Sequence, residues 1–229
     1  MTPCTNKVLI LSAAAVILAA PAFAKPAQEV KKPAQAKEAA AEVKPQVSAE
    51  QKTVLDNFVA WDGKLKTVSL SFEQTTSFEG TEISSSSGRL YKQGNNIRLD
   101  TLQKGKVTQS ALTDKKIIRI LDEKGKMITD LGWQEWQAAQ ANKALFDFGN
   151  YKEVLKTHKV KEFGETEGGY KLVLTPAAAP AGESYLLEFV LNAKDYFPMQ
   201  ISVSNGGTKT QTVLNDIRKN IKLDERIFK

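Results

Sequence analysis

Cysteine and histidine are almost absent from this sequence of 229 residues. Cys4 and His158 are the single members of their types. These two residue types supply most protein ligands for zinc and other transition metals, so a metal centre built on them is excluded. Cys4 lies near the N-terminus, and the rest of the chain has no thiol for a disulfide or a nucleophile. We therefore expect no metal and no cofactor, and a fold that depends on an apolar core.

Arrangements typical of enzymes are also missing. The run SSSSG at 84–88 has no G-x-S-x-G pattern around it, so it does not resemble a nucleophile elbow. The Gly-Gly pairs at 168–169 and 206–207 fit hairpin turns, because neither precedes a helix as a phosphate-binding loop would. The carboxylates are scattered without an evident pair. We expect no catalytic residues, and a protein that is not an enzyme.

The first 24 residues have the pattern of a secretory signal peptide. Lys7 precedes an apolar run at 8–20, and PAFA at 21–24 ends in the A-x-A motif of a cleavage site. The apolar run is shorter than the roughly 20 residues that a membrane-spanning helix needs. Cys4 precedes this run, which makes it a poor site for lipid attachment. Residues 25–47 are rich in Lys, Ala and Pro and lack aromatics, which predicts a disordered linker.

One folded domain is then expected over 48–229. The full chain has 32 basic and 26 acidic side chains; removing Lys7 and the five Lys and three Glu of 25–47 leaves 26 and 23, a net charge of +3. No block of Lys or Arg dominates this part. Nucleic acid is therefore not an expected partner, and we expect a monomer.

The periodicity of apolar residues predicts a mainly β domain with two helical regions. Ser48 and Gln51 fit a capping box at the start of a helix over 48–65, which has apolar residues three and four positions apart. A second segment, 133–156, has helical composition. Apolar residues alternate elsewhere, and short turns predict an antiparallel meander of about eleven strands. The predicted strands cover 67–78, 88–92, 97–100, 107–113, 116–122, 126–132, 158–164, 170–176, 184–193, 197–205 and 208–220.

An antiparallel sheet of this size should curl into a half-open barrel with one apolar face. The two helical regions would cover its concave face, and an interior of this width is a common ligand site. Leu90, Ile97 and Leu99 are expected on that face, with one of them departing from strict alternation. The sequence leaves open whether the face belongs to the protein's own core or to a ligand.

Several short motifs resemble the outer-membrane lipoprotein carrier protein (LolA) family. They occur in the same order and at similar spacing over most of 50–228. The motifs are VSLSFEQ (68–74), GRLY (88–91), NNIRLD (95–100), TDKK (113–116), YKLVLTP (170–176) and a C-terminal pattern from Gly207 to Phe228.

The resemblance implies a half-open antiparallel β-barrel with a helical lid. It also implies a periplasmic chaperone that carries acylated lipoproteins from an inner-membrane transporter to an outer-membrane acceptor. Some members latch the lid with an arginine where this chain has Gly94-Asn95, and Arg98 is the candidate to replace it. Two alternatives stay open: a phospholipid-binding or lipoprotein-sensing module of the same fold, and a structural domain with a filled barrel.

A carrier needs apolar surface comparable to the acyl chains, because burying each methylene is worth about 0.8 kcal/mol. We predict a lining of inward-facing strand residues, together with three aromatic residues from the lid. The lining set is Leu70, Phe72, Leu90, Leu99, Ile118, Ile120, Leu172, Leu187 and Phe189. The lid set is Trp133, Trp136 and Phe146.

Overall fold

The computed structural model describes residues 48–139, 143–178 and 185–229. The predicted signal peptide at 1–24 and the predicted linker at 25–47 lie outside these residues. Within the described ranges, every helix falls short of the length and apolar character that crossing a membrane would require.

The described residues form eleven strands and three α-helices. The strands are β1 (Thr67–Phe78), β2 (Thr81–Gln93), β3 (Asn96–Gln103), β4 (Lys106–Thr113), β5 (Ile117–Asp122), β6 (Met127–Gly132), β7 (His158–Thr166), β8 (Gly169–Pro176), β9 (Leu186–Asn192), β10 (Pro198–Asn205) and β11 (Thr208–Lys219). The α-helices are α1 (Ala49–Asp62), α2 (Trp133–Ala138) and α3 (Tyr151–Thr157), with 3₁₀ helices at Lys143–Phe146 and Glu225–Phe228.

All eleven strands form one antiparallel sheet. Their order is β6-β5-β4-β3-β2-β1-β11-β10-β9-β8-β7, so each strand pairs with its sequence neighbour except where β1 pairs with β11. β6 and β7 are the two edges, and they do not pair with each other. The sheet therefore stays open, which confirms the predicted mainly β, half-open antiparallel barrel.

Helix α1 begins where the sequence predicts it. The Ser48 hydroxyl accepts a hydrogen bond from the backbone N–H of Gln51 over 3.0 Å, which is one half of the predicted capping box. Val54 and Phe58 lie one turn apart and are almost fully buried in the same core as the sheet residues. The apolar stripe of α1 therefore covers part of the concave face, as predicted.

The second predicted helical region is broken. Instead of one helix over 133–156, the structure has α2, the 3₁₀ helix Lys143–Phe146 and α3. Gly149 has a φ of 87°, in the left-handed region that a right-handed helix cannot contain. A helix cannot continue through this residue, and α3 begins two positions later.

The strands near residue 90 alternate without interruption. Leu90 pairs with Leu99, and Lys92 pairs with Ile97, so these four side chains share the concave face. Leu90, Ile97 and Leu99 are each less than 5 % exposed. The expectation that one of these three would depart from alternation was wrong, because residues 97 and 99 are two positions apart and point the same way.

Candidate functional site

The concave face of the sheet and the helices over it form one apolar cluster. All nine residues of the predicted lining belong to it, and none is more than 5 % exposed. They come from β1, β2, β3, β5, β8 and β9, which lie in both halves of the sheet. The structure therefore brings the predicted lining residues together across most of the curved sheet.

The predicted lid residues form a compact aromatic group on the same face. The ring centroids of Trp133 and Trp136 are 5.3 Å apart, and the Phe146 ring lies 5.0 Å from Trp136 in an edge-to-face arrangement. The backbone N–H of Trp133 donates a hydrogen bond to the backbone carbonyl of Lys116, just before β5. This bond holds the start of α2 beside the β6 edge of the sheet. We call α2 and the 3₁₀ helix Lys143–Phe146 the lid.

A second aromatic group covers the other half of the sheet. Phe58 of α1 stacks on Tyr151 of α3 with centroids 5.0 Å apart, and both rings lie 5.4 Å from Phe189 of β9. Phe148 stacks on Phe197 with centroids 5.5 Å apart. Aromatic contacts of this kind add to the stability given by burial alone. This group fixes α1 and α3 against β8, β9 and β10.

Of this second group, sequence reasoning identified only Phe189, as part of the predicted lining, and Phe58, as part of the apolar stripe of α1. Phe148 and Tyr151 lie in a stretch whose apolar residues do not follow a helical period. Phe197 lies just before the proline that begins β10. Their spacing therefore could not show which face these side chains would occupy. The only available signal was the concentration of Phe and Tyr at 146–151, which is unusual between two polar stretches.

Asp62, the last residue of α1, connects this helix to the start of α3. Its carboxylate accepts hydrogen bonds from the backbone N–H groups of Gly149 and Tyr151, the latter over 2.7 Å. The side chain is buried, and burial raises the pKa of Asp62, while the two N–H donors and nearby Lys92 act in the opposite direction. A single carboxylate therefore holds α1 against the segment that begins α3.

Lys92 is a charged residue on the apolar concave face. It is only 5 % exposed, and burial lowers its pKa, with a smaller contribution from Lys115 and an opposing one from Asp62. A side-chain carbon placed on Gly149 would lie 3.4 Å from Lys92 Nζ, so the ammonium group sits directly beside this residue. Asp62 and Lys92 thus both lie beside Gly149, just before α3, and sequence reasoning missed both.

Arg98, the predicted latch, lies on the opposite face of the sheet. Its guanidinium donates to Asp100 over 2.7 Å, to Ser110 over 3.2 Å and to the carbonyl of Ile227 over 3.1 Å. Within the described residues these contacts join β3 and β4 to the C-terminal 3₁₀ helix, and not to the helices on the concave face. The lid latch at Arg98 stays a prediction, which the variant Arg98→Leu tests.

The sequence itself assigns the family. The family model of the outer membrane lipoprotein carrier protein LolA matches residues 63–229. The chain therefore belongs to the LolA family, as its motifs indicate. No curated protein sequence matches this chain.

Several solved structures are similar to this chain at low sequence identity. A LolA superfamily protein from Nitrosomonas europaea is 10 % identical over 78 % of this chain and 96 % of its own, with a TM-score of 0.40. MucB is 14 % identical over 80 % of this chain and 63 % of its own, with a TM-score of 0.46. The lipoprotein LppX of Mycobacterium tuberculosis is 10 % identical over 76 % of this chain and 99 % of its own, with a TM-score of 0.42.

Proposed function

We propose that this protein is a periplasmic carrier that shields the acyl chains of lipoproteins between the inner and the outer membrane. The observation that carries the proposal is the large apolar cluster on the concave face, which an open sheet exposes unless short helices cover it. Apolar surface of this extent is an aggregation hazard in water when uncovered. The helices would cover this face in the free protein, and acyl chains would cover it in the loaded protein. The apolar surface would then be shielded from water in both states.

The lid is the part that we expect to move. α2 has only six residues, and a helix of that length is not stable without packing against the rest of the protein. Trp133, Trp136 and Phe146 are therefore held mainly by contact with the sheet. Acyl chains that occupy the sheet surface under these three rings would replace those contacts with equivalent apolar ones.

The second group of helices is expected to stay in place. α1 is longer, is capped by Ser48, and is joined to Gly149 and Tyr151 through Asp62. Uptake would then open the β6 side of the sheet, while the β8 to β10 side keeps its aromatic packing. The inner-membrane transporter that loads the carrier and the outer-membrane acceptor that unloads it belong to the same proposal and follow from the family.

Tryptophan fluorescence tests this proposal because the three tryptophans lie in different parts of the cover. Trp61→Phe leaves the two lid tryptophans, and the double variant Trp133→Phe/Trp136→Phe leaves only Trp61 on α1. Each protein, in the form processed by the producing cells, is titrated with a synthetic triacylated lipopeptide. We expect a saturable change in emission from the lid tryptophans and a much smaller change from Trp61.

The same peptide without acyl chains is the control ligand, and it should change neither signal. Binding of the peptide regardless of its acyl chains would contradict the proposal. The absence of binding by the folded protein would favour the filled barrel. Equal binding of a free phospholipid and the lipopeptide would favour the phospholipid-binding alternative.

A further inference from the structure

The concave face is not apolar throughout. Phe72 faces inward on β1, and the next inward positions on the same strand are Gln74 and Thr76. Gln74 pairs directly with Ser86 on β2 and Thr212 on β11, and Thr76 pairs with Ser84 and Thr210. Directly opposed residues share a face. The polar strip consists of Gln74, Thr76, Ser84, Ser86, Thr210 and Thr212.

The strip crosses the three central strands and borders the apolar lining on two sides. Phe72 precedes the strip on β1, Leu214 follows it on β11, and Ile201 of β10 pairs with Thr212. Thr210 and Thr212 are at most 2 % exposed. The polar strip therefore lies inside the barrel, next to the apolar surface that we assign to acyl chains, and not on the outer face of the barrel.

Part of the hydrogen-bonding capacity of the strip is unused. The Thr212 hydroxyl donates to Gln74 Oε1 over 3.2 Å, and the hydroxyls of Thr76 and Thr210 are 3.1 Å apart. Within the residues that the structure describes, Gln74 Nε2 and the hydroxyls of Ser84 and Ser86 donate no hydrogen bond. Covering a polar group with hydrocarbon and giving it no partner costs about 1–3 kcal/mol. An acyl chain laid across the strip would therefore be disfavoured there.

The strip has donors but no formal charge. Glu82, two positions before Ser84 on β2, pairs with the outward-facing Ser77 after a register shift. The nearest charge on the inward face of β2 is therefore Lys92, six residues beyond Ser86, or about 20 Å at the rise of a β-strand. A phosphate or another charged head group would find no counter-charge at the strip. Uncharged acceptor atoms fit it better, and ester and amide carbonyls are such acceptors.

We propose that the polar strip binds the ester and amide carbonyls that join acyl chains to the head of the lipoprotein. This inference rests on the proposed carrier function and adds an orientation to it. The carbonyls are held by Gln74, Ser84 and Ser86, and the acyl chains extend from there over the apolar lining toward the lid. The strip thereby fixes where the polar head leaves the barrel.

Two probes separate the strip from the apolar lining. A triacylated lipopeptide carries the carbonyls, whereas 1-N-phenylnaphthylamine is an apolar fluorescent probe without them. Gln74→Met removes the amide while keeping a side chain of similar length. We expect it to weaken lipopeptide binding about tenfold, equivalent to about 1.4 kcal/mol, and to leave the affinity for the apolar probe unchanged. Ser86→Ala should weaken lipopeptide binding about threefold in the same selective way.

Gln211→Met is the matched control, because Gln211 lies between Thr210 and Thr212 on β11 and points to the other face. It should leave both affinities unchanged. Equal lipopeptide affinity in Gln74→Met and the unmodified protein overturns the inference and leaves the carrier function standing. A parallel loss for both probes also overturns it. Failure of the unmodified protein to bind the lipopeptide overturns the proposed function and the inference together.

Discussion

The carboxylate of Asp62 accepts a hydrogen bond from the backbone N–H of Tyr151 over 2.7 Å, and it accepts a second one from Gly149. These bonds join the end of α1 to the start of α3 inside the apolar cover. Neither N–H group has an intrahelical partner, because both lie at or before the first turn of α3. These two hydrogen bonds between the helices therefore depend on one side chain, in addition to the stacking of Phe58 on Tyr151.

Replacing Asp62 by Ala should destabilise the protein strongly. The change leaves two N–H donors without a partner in a buried region, which costs about 2–6 kcal/mol at about 1–3 kcal/mol for each unsatisfied donor. Urea unfolding measures this loss. Asp56→Ala is the control on the same helix, since Asp56 makes only an exposed ion pair with Lys52 and should change the stability by less than about 0.5 kcal/mol. Similar losses for both variants would contradict the assigned role of Asp62.

The buried ammonium of Lys92 predicts a pH dependence of stability. Its folded pKa lies below the value of about 10.4 in an unfolded chain. Folding therefore opposes the charged form, and this unfavourable contribution is fully present below the folded pKa. It disappears as the pH rises from the folded pKa toward about 10.4.

Lys92→Met removes this contribution at every pH. The difference in unfolding free energy between the variant and the unmodified protein should therefore shift in favour of the unmodified protein as the pH rises through that window. Lys106→Met, at an exposed position at the start of β4, is the control for replacing a lysine by methionine on the sheet. A pH-independent difference for Lys92→Met would mean that the ammonium is not buried in solution.

Gly88 allows the Phe72 ring to lie against the strand beside it. A Cβ on Gly88 would lie 2.4 Å from Phe72 Cζ and 2.4 Å from the carbonyl oxygen of Asp100. Gly88→Ala should therefore lower the unfolding free energy by about 1–3 kcal/mol through overpacking. Gly164→Ala is the control on β7, where an added Cβ meets no atom within 4 Å. Equal stability of the two variants would show that the Phe72 ring can move away at little cost.

Replacing Arg98 should lower the stability of the protein and leave its lipid binding unchanged. Arg98→Leu leaves the Asp100 carboxylate, which is 7 % exposed, without its cation, and we expect a loss of about 3–5 kcal/mol in the unfolding free energy. Arg226→Leu breaks an exposed pair with Asp224 and should cost at most about 1 kcal/mol. The folded Arg98→Leu protein should keep its affinity for acylated lipopeptide. A selective loss of that affinity would return Arg98 to the role of a lid latch.

Alternation of apolar residues was enough to predict the strands and the inward-facing lining. Leu70, Leu90 and Leu99 could be assigned because each lies in a run with period two, and a sheet with one apolar face makes that pattern informative. The curled sheet followed from the number of strands and their short turns. These features depend on local sequence, which is why they could be read without knowing the tertiary neighbours.

The polar connections could not be predicted in the same way. Lys92 looks like an ordinary exposed lysine next to a turn, and its burial depends on Gly149, which is 57 positions away. Asp62 resembles a solvated residue at the end of a helix, and its partners come from the start of α3. Only the family resemblance suggested a role for Arg98 on the concave face. Alternation around Leu99 instead places the Arg98 side chain on the outer face.

Native mass spectrometry of the protein, isolated from its own cells without detergent, shows directly whether it carries acylated lipoproteins. We predict a population whose added mass matches an acylated lipoprotein, and loss of that mass when the acyl chains are removed enzymatically. Protein that is always empty, and that stays empty when acylated lipopeptide is added, would contradict the proposed carrier function.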